Sequence, residues 1–138
     1  HDPDFLLSEF ETSREGNTYT AQTLRLLKEA YPQHEFFFII GADSLYEIEY
    51  WYHPEKIIGV VPILVADREY SREHREIDEQ ILYLKKKYQG EILKLHCREV
   101  DVASKEIRQL VRDGHSVENY LPEEVEKYII SHHLYQEA

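Results

Sequence analysis

A chain of 138 residues and 16.5 kDa with 42% hydrophobic residues can bury a real core as one domain, which excludes a disordered tail. Its net charge of −11 excludes an extended nucleic-acid surface, which needs clustered Lys and Arg, but not a small phosphorylated ligand that one or two cations and some backbone N–H groups can hold. The single cysteine, Cys97, excludes an internal disulfide; with no apolar run near the roughly 20 residues of a membrane span and no signal-peptide pattern, the sequence reads as cytosolic.

Taken in order, His1 to Asp4 reads as a loop, since Pro3 disfavours helix before it. Phe5 to Glu11 has strand character, and Gly16 and Asn17 then suit a turn. A helix is expected from Thr18 or Thr20, both candidate caps, with Ala21, Leu24, Leu27 and Tyr31 on one face and its end where Tyr31 meets Pro32. Phe36 to Ile40 is an unbroken aromatic and β-branched run stopped by Gly41, which reads as a central parallel strand needing cover on both faces.

Ser44 to Tyr52 reads as one or two helical turns, and Pro54 opens a short helix from Glu55 to Gly59. Val60 to Ala66 is a second apolar strand, with Pro62 limiting its pairing. Ser71 to Tyr88 reads as a solvated helix with Ile77, Ile81, Leu82 and Leu84 close to a stripe, and Lys85 to Lys87 near its end suit the dipole. Ile92 to Cys97 alternates as a less buried strand. Ser104 can cap a helix with Ile107, Leu110 and Val111 inward and Gly114 as its stop. Pro122 starts a last helix with Val125, Tyr128, Ile129 and His132 on one face. Strands alternating with helices predict a parallel sheet with helices on its faces, an α/β fold.

The eight histidines are scattered, with no H-E-x-x-H or Cys/His cluster, so no metal site is expected. Cys97 carries no nucleophile motif and reads as a packing thiol. Neither a P-loop nor a dinucleotide fingerprint is present. The strand ends are more informative. Asp43 and Ser44 follow the apolar run at the carboxyl end of a strand, where open α/β sheets bind ligands, although Asp43 also suits an N-cap. Thr18, Tyr19 and Thr20 lead into one helix, and Ser104 opens another whose first N–H groups are free. Trp51 and Tyr52, just beyond Asp43, either stack on a flat ring or pack against the core. Arg68, at another strand end, either binds phosphate or pairs with one of the 27 acidic residues.

These residues resemble one family, the bacterial nicotinate-nucleotide adenylyltransferases. Glu11 to Leu24 (ETSREGNTYTAQTL) is similar to that family's E-x-x-R-x-G-x-S-Y-T-x-[DQ]-T-L, and Phe38 to Leu45 (FIIGADSL) to its F-I-I-G-x-D-S/A-L. Trp51 falls where the family has its Trp, and Tyr120 to Tyr135 (YLPEEVEKYIISHHLY) resembles its closing L-x-P-x-x-V-x-x-Y-I-x-x-x-G-L-Y. The resemblance implies a Rossmann-like nucleotidyltransferase fold and the joining of nicotinate mononucleotide to the AMP part of ATP, with Mg²⁺, to give deamido-NAD and pyrophosphate. By position it implies Thr20, Trp51 and Tyr52 at the nicotinate ring and carboxylate, Asp43 in the nucleotide cleft, and Arg68 near the mononucleotide phosphate. Ser104 and Arg108 match the family's I-S-S-T-x-I-R segment and imply contact with ATP.

The sequence also departs from the pattern. Ala103 and Lys105 replace the other Ser and the Thr beside Ser104, and His133 replaces a Gly near the end. The family's G-x-F-[DN]-P-x-H-x-G-H loop, whose histidines neutralise the transferring phosphate, occurs nowhere. The expectation is therefore the carboxyl-terminal two-thirds of the enzyme fold, starting about two βα units, roughly 60 residues, late. Such a sheet would have an unpaired side on the Phe36 to Ile40 strand, filled by the rest of a longer chain or by dimerisation. By itself the chain is expected to lack adenylyl transfer and to carry no catalytic residue of its own. The alternatives are a non-catalytic nucleotide-binding or interaction module on the same fold, and an adenylyltransferase for another acceptor, such as phosphopantetheine or an amide mononucleotide.

Overall fold

The computed structural model describes residues 2–68, 74–98 and 102–136, and of Asp67, Arg68, His74 and Arg75 the backbone alone. The chain divides into two compact units, residues 1–98 and 99–138.

The first unit holds a three-stranded parallel sheet in the order β1-β2-β3. Strand β1 (Phe38–Gly41) pairs with β2 (Ile63–Arg68) from Phe38↔Ile63 to Gly41↔Ala66, and β2 pairs with β3 (Ile92–Cys97) from Ile63↔Ile92 to Arg68↔Cys97. The run expected as a central strand is thus an edge of this sheet, with no second neighbour among the described residues. Pro62 stands just before β2, where a missing N–H costs no ladder bond, and its carbonyl accepts Phe38 N–H at 2.9 Å.

Side chains alternate along each strand, so this register puts Phe38, Ile40, Ile63, Val65 and Ile92 on one face. The last four are buried and Phe38 packs against them. On the other face Ile39 is 64% exposed and Leu93 is exposed too. The packed face meets residues spaced to share one side of each helix. These are Ala21 and Leu24 of α1 (Thr20–Ala30), Leu45 of α2 (Ala42–Glu47), Ile57 and Ile58 of α3 (Glu55–Ile58), and Ile77, Ile81 and Leu84 of α4 (His74–Tyr88). A 3₁₀ turn, Ile48–Tyr50, continues α2 and adds Ile48. Burying one such aliphatic side chain contributes about 1.5–3 kcal/mol.

Several expected positions differ. Leu82 stands one residue, a hundred degrees of helix, past Ile81 and is 67% exposed. Phe5 to Glu11 forms no strand; its apolar side chains find no ladder, Leu7 is 97% exposed, and turn bonds such as Ser13 N–H to Glu9 O at 2.9 Å follow. The N-cap of α1 is Tyr19 rather than a threonine, and that of α2 is Gly41, with Asp43 in the first turn; neither makes a side-chain cap bond. The expected start of α4 from Ser71 lies outside the described residues. Cys97 is exposed at the end of β3 rather than packed.

The second unit carries α5 (Ser104–Arg112) and α6 (Glu123–Ser131). Its buried side chains among the described residues are Val117 and Ile129. Ser104 is the first residue of α5, not its cap; Ala103 holds that place, and its N–H donates to Glu106 Oε2 at 3.2 Å. No residue of α5 is fully buried, and Val125 and Tyr128 of α6 are exposed, Tyr128 stacking on His132 at 3.9 Å between ring centroids. Among the described residues no helix is long and apolar enough to cross a membrane.

Candidate functional site

Thr18, Tyr19 and Thr20, at the start of α1, face Tyr50, Trp51 and Tyr52, which end the 3₁₀ turn and follow it. Together with the buried Ile57 of α3 they line a cavity of about 370 Å³. Ring contacts fix its walls. Tyr19 and Tyr52 lie 4.7 Å apart at 32°, and Tyr52 meets His53 edge-on at 4.2 Å. Trp51, half-buried, sets its edge against Phe38 of β1 at 6.2 Å and 70°. Such offset and edge-to-face pairs are worth about 0.5–1.5 kcal/mol beyond the area they bury, so the rings come pre-oriented. Aromatic faces beside threonine hydroxyls and an indole N–H can hold a flat ring bearing an anionic group.

The α1 wall is held from below by a side-chain chain. Thr23 Oγ1 donates to Glu11 Oε1 at 2.5 Å and accepts from Arg14 Nη2 at 3.0 Å. This bridges the loop before α1 to the helix itself, and Gly16, at φ +79°, takes the left-handed turn that lets the loop double back. The other wall turns at His53, whose φ of +50° is left-handed, so that Pro54 can begin α3. His53 Nδ1 lies 2.8 Å from Glu55 Oε1, and this hydrogen bond holds the Glu55 carboxyl below its ordinary range.

Of the residues expected at a site, Thr20, Trp51 and Tyr52 thus line one cavity. Asp43 does not line it; it lies exposed in the first turn of α2, two residues past Gly41. Arg68 stands two residues past Ala66, the partner of Gly41, so its backbone reaches the same carboxyl rim of the sheet as Asp43, while its side chain lies outside the described residues. Ser104 and Arg108, both exposed, sit four residues apart on one side of α5. Among the described residues no three His, Cys, Asp or Glu side chains gather to hold a metal ion.

The sequence singles out Tyr19 with the two threonines but gives it no role, and it does not assign Tyr50 or Ile57 to a site. Tyr19 sits beside the threonines, and its pairing with Tyr52, 33 positions away, leaves no local signal.

No family model matches the chain. It is 41% identical over 133 residues to a protein of Lachnoclostridium phytofermentans, 34% over 134 residues to one of Carboxydothermus hydrogenoformans and 33% over 132 residues to one of Clostridium botulinum. Each is named "probable nicotinate-nucleotide adenylyltransferase". These matches take in 96%, 97% and 96% of this chain but 66% of each relative, so the chain spans about two-thirds of the length of the curated relatives it matches. Among solved structures, Plasmodium falciparum nicotinic acid mononucleotide adenylyltransferase superposes with a TM-score of 0.72 at 20% identity, in one structure complexed with APC and in another with NaAD. The overlap covers 94% of this chain and 64% and 62% of that one, a likeness of fold.

Proposed function

Because this chain belongs to the nicotinate-nucleotide adenylyltransferase family, we propose that it carries the acceptor side of an adenylyl transfer from ATP to nicotinate mononucleotide. The observation that supports this most is the cavity where Thr20, Trp51 and Tyr52 meet. Its volume of about 370 Å³ suits a pyridine ring and part of its sugar, since small-molecule sites run upward from about 300 Å³. In this reading Trp51 and Tyr52 clamp the ring and the Thr20 hydroxyl meets its carboxylate. Asp43 faces the nucleotide from the carboxyl rim, Arg68 pairs with the mononucleotide phosphate, and Ser104 and Arg108 contact ATP.

In the transfer a phosphate oxygen of the mononucleotide attacks the α-phosphorus of ATP. A new P–O bond forms as the bond to the bridging oxygen of the β-phosphate breaks, and pyrophosphate leaves. ATP brings its own leaving group and the mononucleotide phosphate is already ionised, so the protein's task is to position them and to stabilise developing charge. The residues of this chain supply the first part. The histidines that would neutralise the phosphate are not in this sequence. A second reading is a nucleotide-binding module that holds the acceptor without turnover, which the same cavity would serve. Mg²⁺ in such reactions rides mainly on ATP phosphates. Among the described residues no three His, Cys, Asp or Glu side chains gather to hold it, so it would be held by the nucleotide with at most one or two carboxylates.

Isothermal titration with nicotinate and nicotinamide mononucleotides tests the proposal. A site built for the carboxylate should bind the amide about 1–3 kcal/mol more weakly. Equal affinity, or none for either, overturns it. Turnover with ATP by this chain alone would overturn the second reading.

A further inference from the structure

The 3₁₀ turn Ile48–Tyr50 presents the ring wall, yet it is three residues long and of a geometry that stabilises itself poorly. Its backbone closes on the wall directly, since Trp51 N–H donates to Ile48 O at 3.1 Å. Two of its side chains are anchored. Ile48 is fully buried in the core, while Glu49 reaches across to α4. One oxygen of that carboxylate, Oε1, accepts from Lys87 Nζ at 2.7 Å, Tyr88 Oη at 3.0 Å and Tyr83 Oη at 3.2 Å. Lys87 Nζ also lies 3.1 Å from Tyr83 Oη, and 5.5 and 5.4 Å from the ring centroids of Tyr83 and Tyr88. The donors all come from a 15-residue helix whose Ile77, Ile81 and Leu84 are core, so they form a rigid platform. Charge-assisted bonds of this kind are roughly twice as strong as neutral ones.

We propose that Glu49 is a positioning residue: held by Lys87, Tyr83 and Tyr88, it fixes the turn whose next two residues, Trp51 and Tyr52, form the ring wall. It touches no substrate. It sets where the indole and phenol stand before a ligand arrives. Only the ligand arm of the test below rests on the nicotinate reading of the cavity.

Trp51 is the single tryptophan of the chain, so its fluorescence reports this wall alone. In the ligand-free protein, Glu49→Ala should shift Trp51 emission to the red and raise its quenching by acrylamide. Glu49→Gln, which keeps an acceptor for the tyrosines, should fall between that variant and the parent. Lys87→Met removes the charged donor from the other side and should move the signal in the same direction, deciding the matter if Glu49→Ala does not fold. Asp78→Asn removes the 2.8 Å ion pair between α4 and Lys94, on the same helix but away from the turn, and should leave Trp51 as in the parent. Binding of nicotinate mononucleotide should weaken by up to about tenfold in Glu49→Ala, because the Trp51 and Tyr52 rings must then be ordered when the ligand binds. The proposal is overturned if Glu49→Ala and Lys87→Met quench as the parent does, or if Asp78→Asn moves the signal as far as they do. A parent chain that binds no pyridine mononucleotide counts against the ring-site reading, while the quenching series still decides the role of Glu49.

Discussion

A Cβ placed on Gly90 would lie 2.2 Å from the carbonyl oxygen of Ile58 and 2.7 Å from its Cγ2. The short link from α4 to β3 therefore crosses directly over the end of α3, and the backbones could not approach so closely if residue 90 had a side chain. The clash is partly with backbone, so no rotamer change relieves it. Gly90→Ala is expected to cost at least about 2 kcal/mol, as overpacking of a filled interior does. Gly41→Ala, with nothing within 4 Å of the added carbon, should cost under about 1 kcal/mol. Urea denaturation midpoints of the two variants check the difference.

Trp51→Ala should weaken binding of nicotinate mononucleotide by about 1–3 kcal/mol, the usual worth of one base stacked on an aromatic side chain. Trp51→Phe keeps a ring against Phe38 but loses the indole N–H, and should cost less. Isothermal titration of the three chains gives the order directly.

Thr23 is the only link in the Glu11–Thr23–Arg14 chain that both donates and accepts. Thr23→Val keeps the shape and removes the hydroxyl, so Glu11 and Arg14 both lose a partner. The expected loss is about 1 kcal/mol of stability, read from urea unfolding. Because the bridge holds the loop that delivers Thr18 to Thr20, the same variant should also loosen mononucleotide binding.

Among the described residues three carboxylates contribute to the response to acid, Glu55 through its His53 hydrogen bond and two more. Glu49 is held below its ordinary value of 4.5, first by the Lys87 hydrogen bond, and Glu126 is held low by Val117 N–H and Ser116 Oγ, each at 2.8 Å. The unfolded chain then binds protons that the folded one does not. Their contribution is fully present above 4.5 and is lost as pH falls through the lowered folded values. Denaturation midpoints of the parent and of Glu49→Gln should therefore differ at neutral pH and converge in strong acid. A gap that persists unchanged into strong acid would contradict this.

The elements most legible in the sequence were those whose own pattern suffices. The spacing of Ile77, Ile81 and Leu84 specifies one buried side of α4, and the apolar runs Phe36 to Ile40 and Val60 to Ala66 overlap β1 and β2, which start later, at Phe38 and Ile63. Phe5 to Glu11 misled because β-favouring side chains make a strand only where a second backbone offers its hydrogen bonds, which composition cannot report. The helix starts slipped by a residue or so for a similar reason, since a threonine or serine near the start is available as a cap without being the residue that turns. In the cavity, the contiguous Trp51 and Tyr52 could be read together, and so could Thr18 to Thr20. What joins them could not. The Lys85 to Lys87 run looks like a helix end matched to its dipole, yet Lys87 reaches a carboxylate 38 positions earlier, a relationship fixed by the packing of α4 beside the turn.

Finally, β1 has a neighbour on one side alone among the described residues. In a parallel strand a residue's N–H and C=O point the same way, and the next residue's point oppositely. Phe38 N–H faces β2 and bonds Pro62, so Ile40 faces β2 as well and Ile39 faces outward. One amide between two protected ones should thus take up deuterium ahead of both, and anything that docks along that side will announce itself by slowing Ile39.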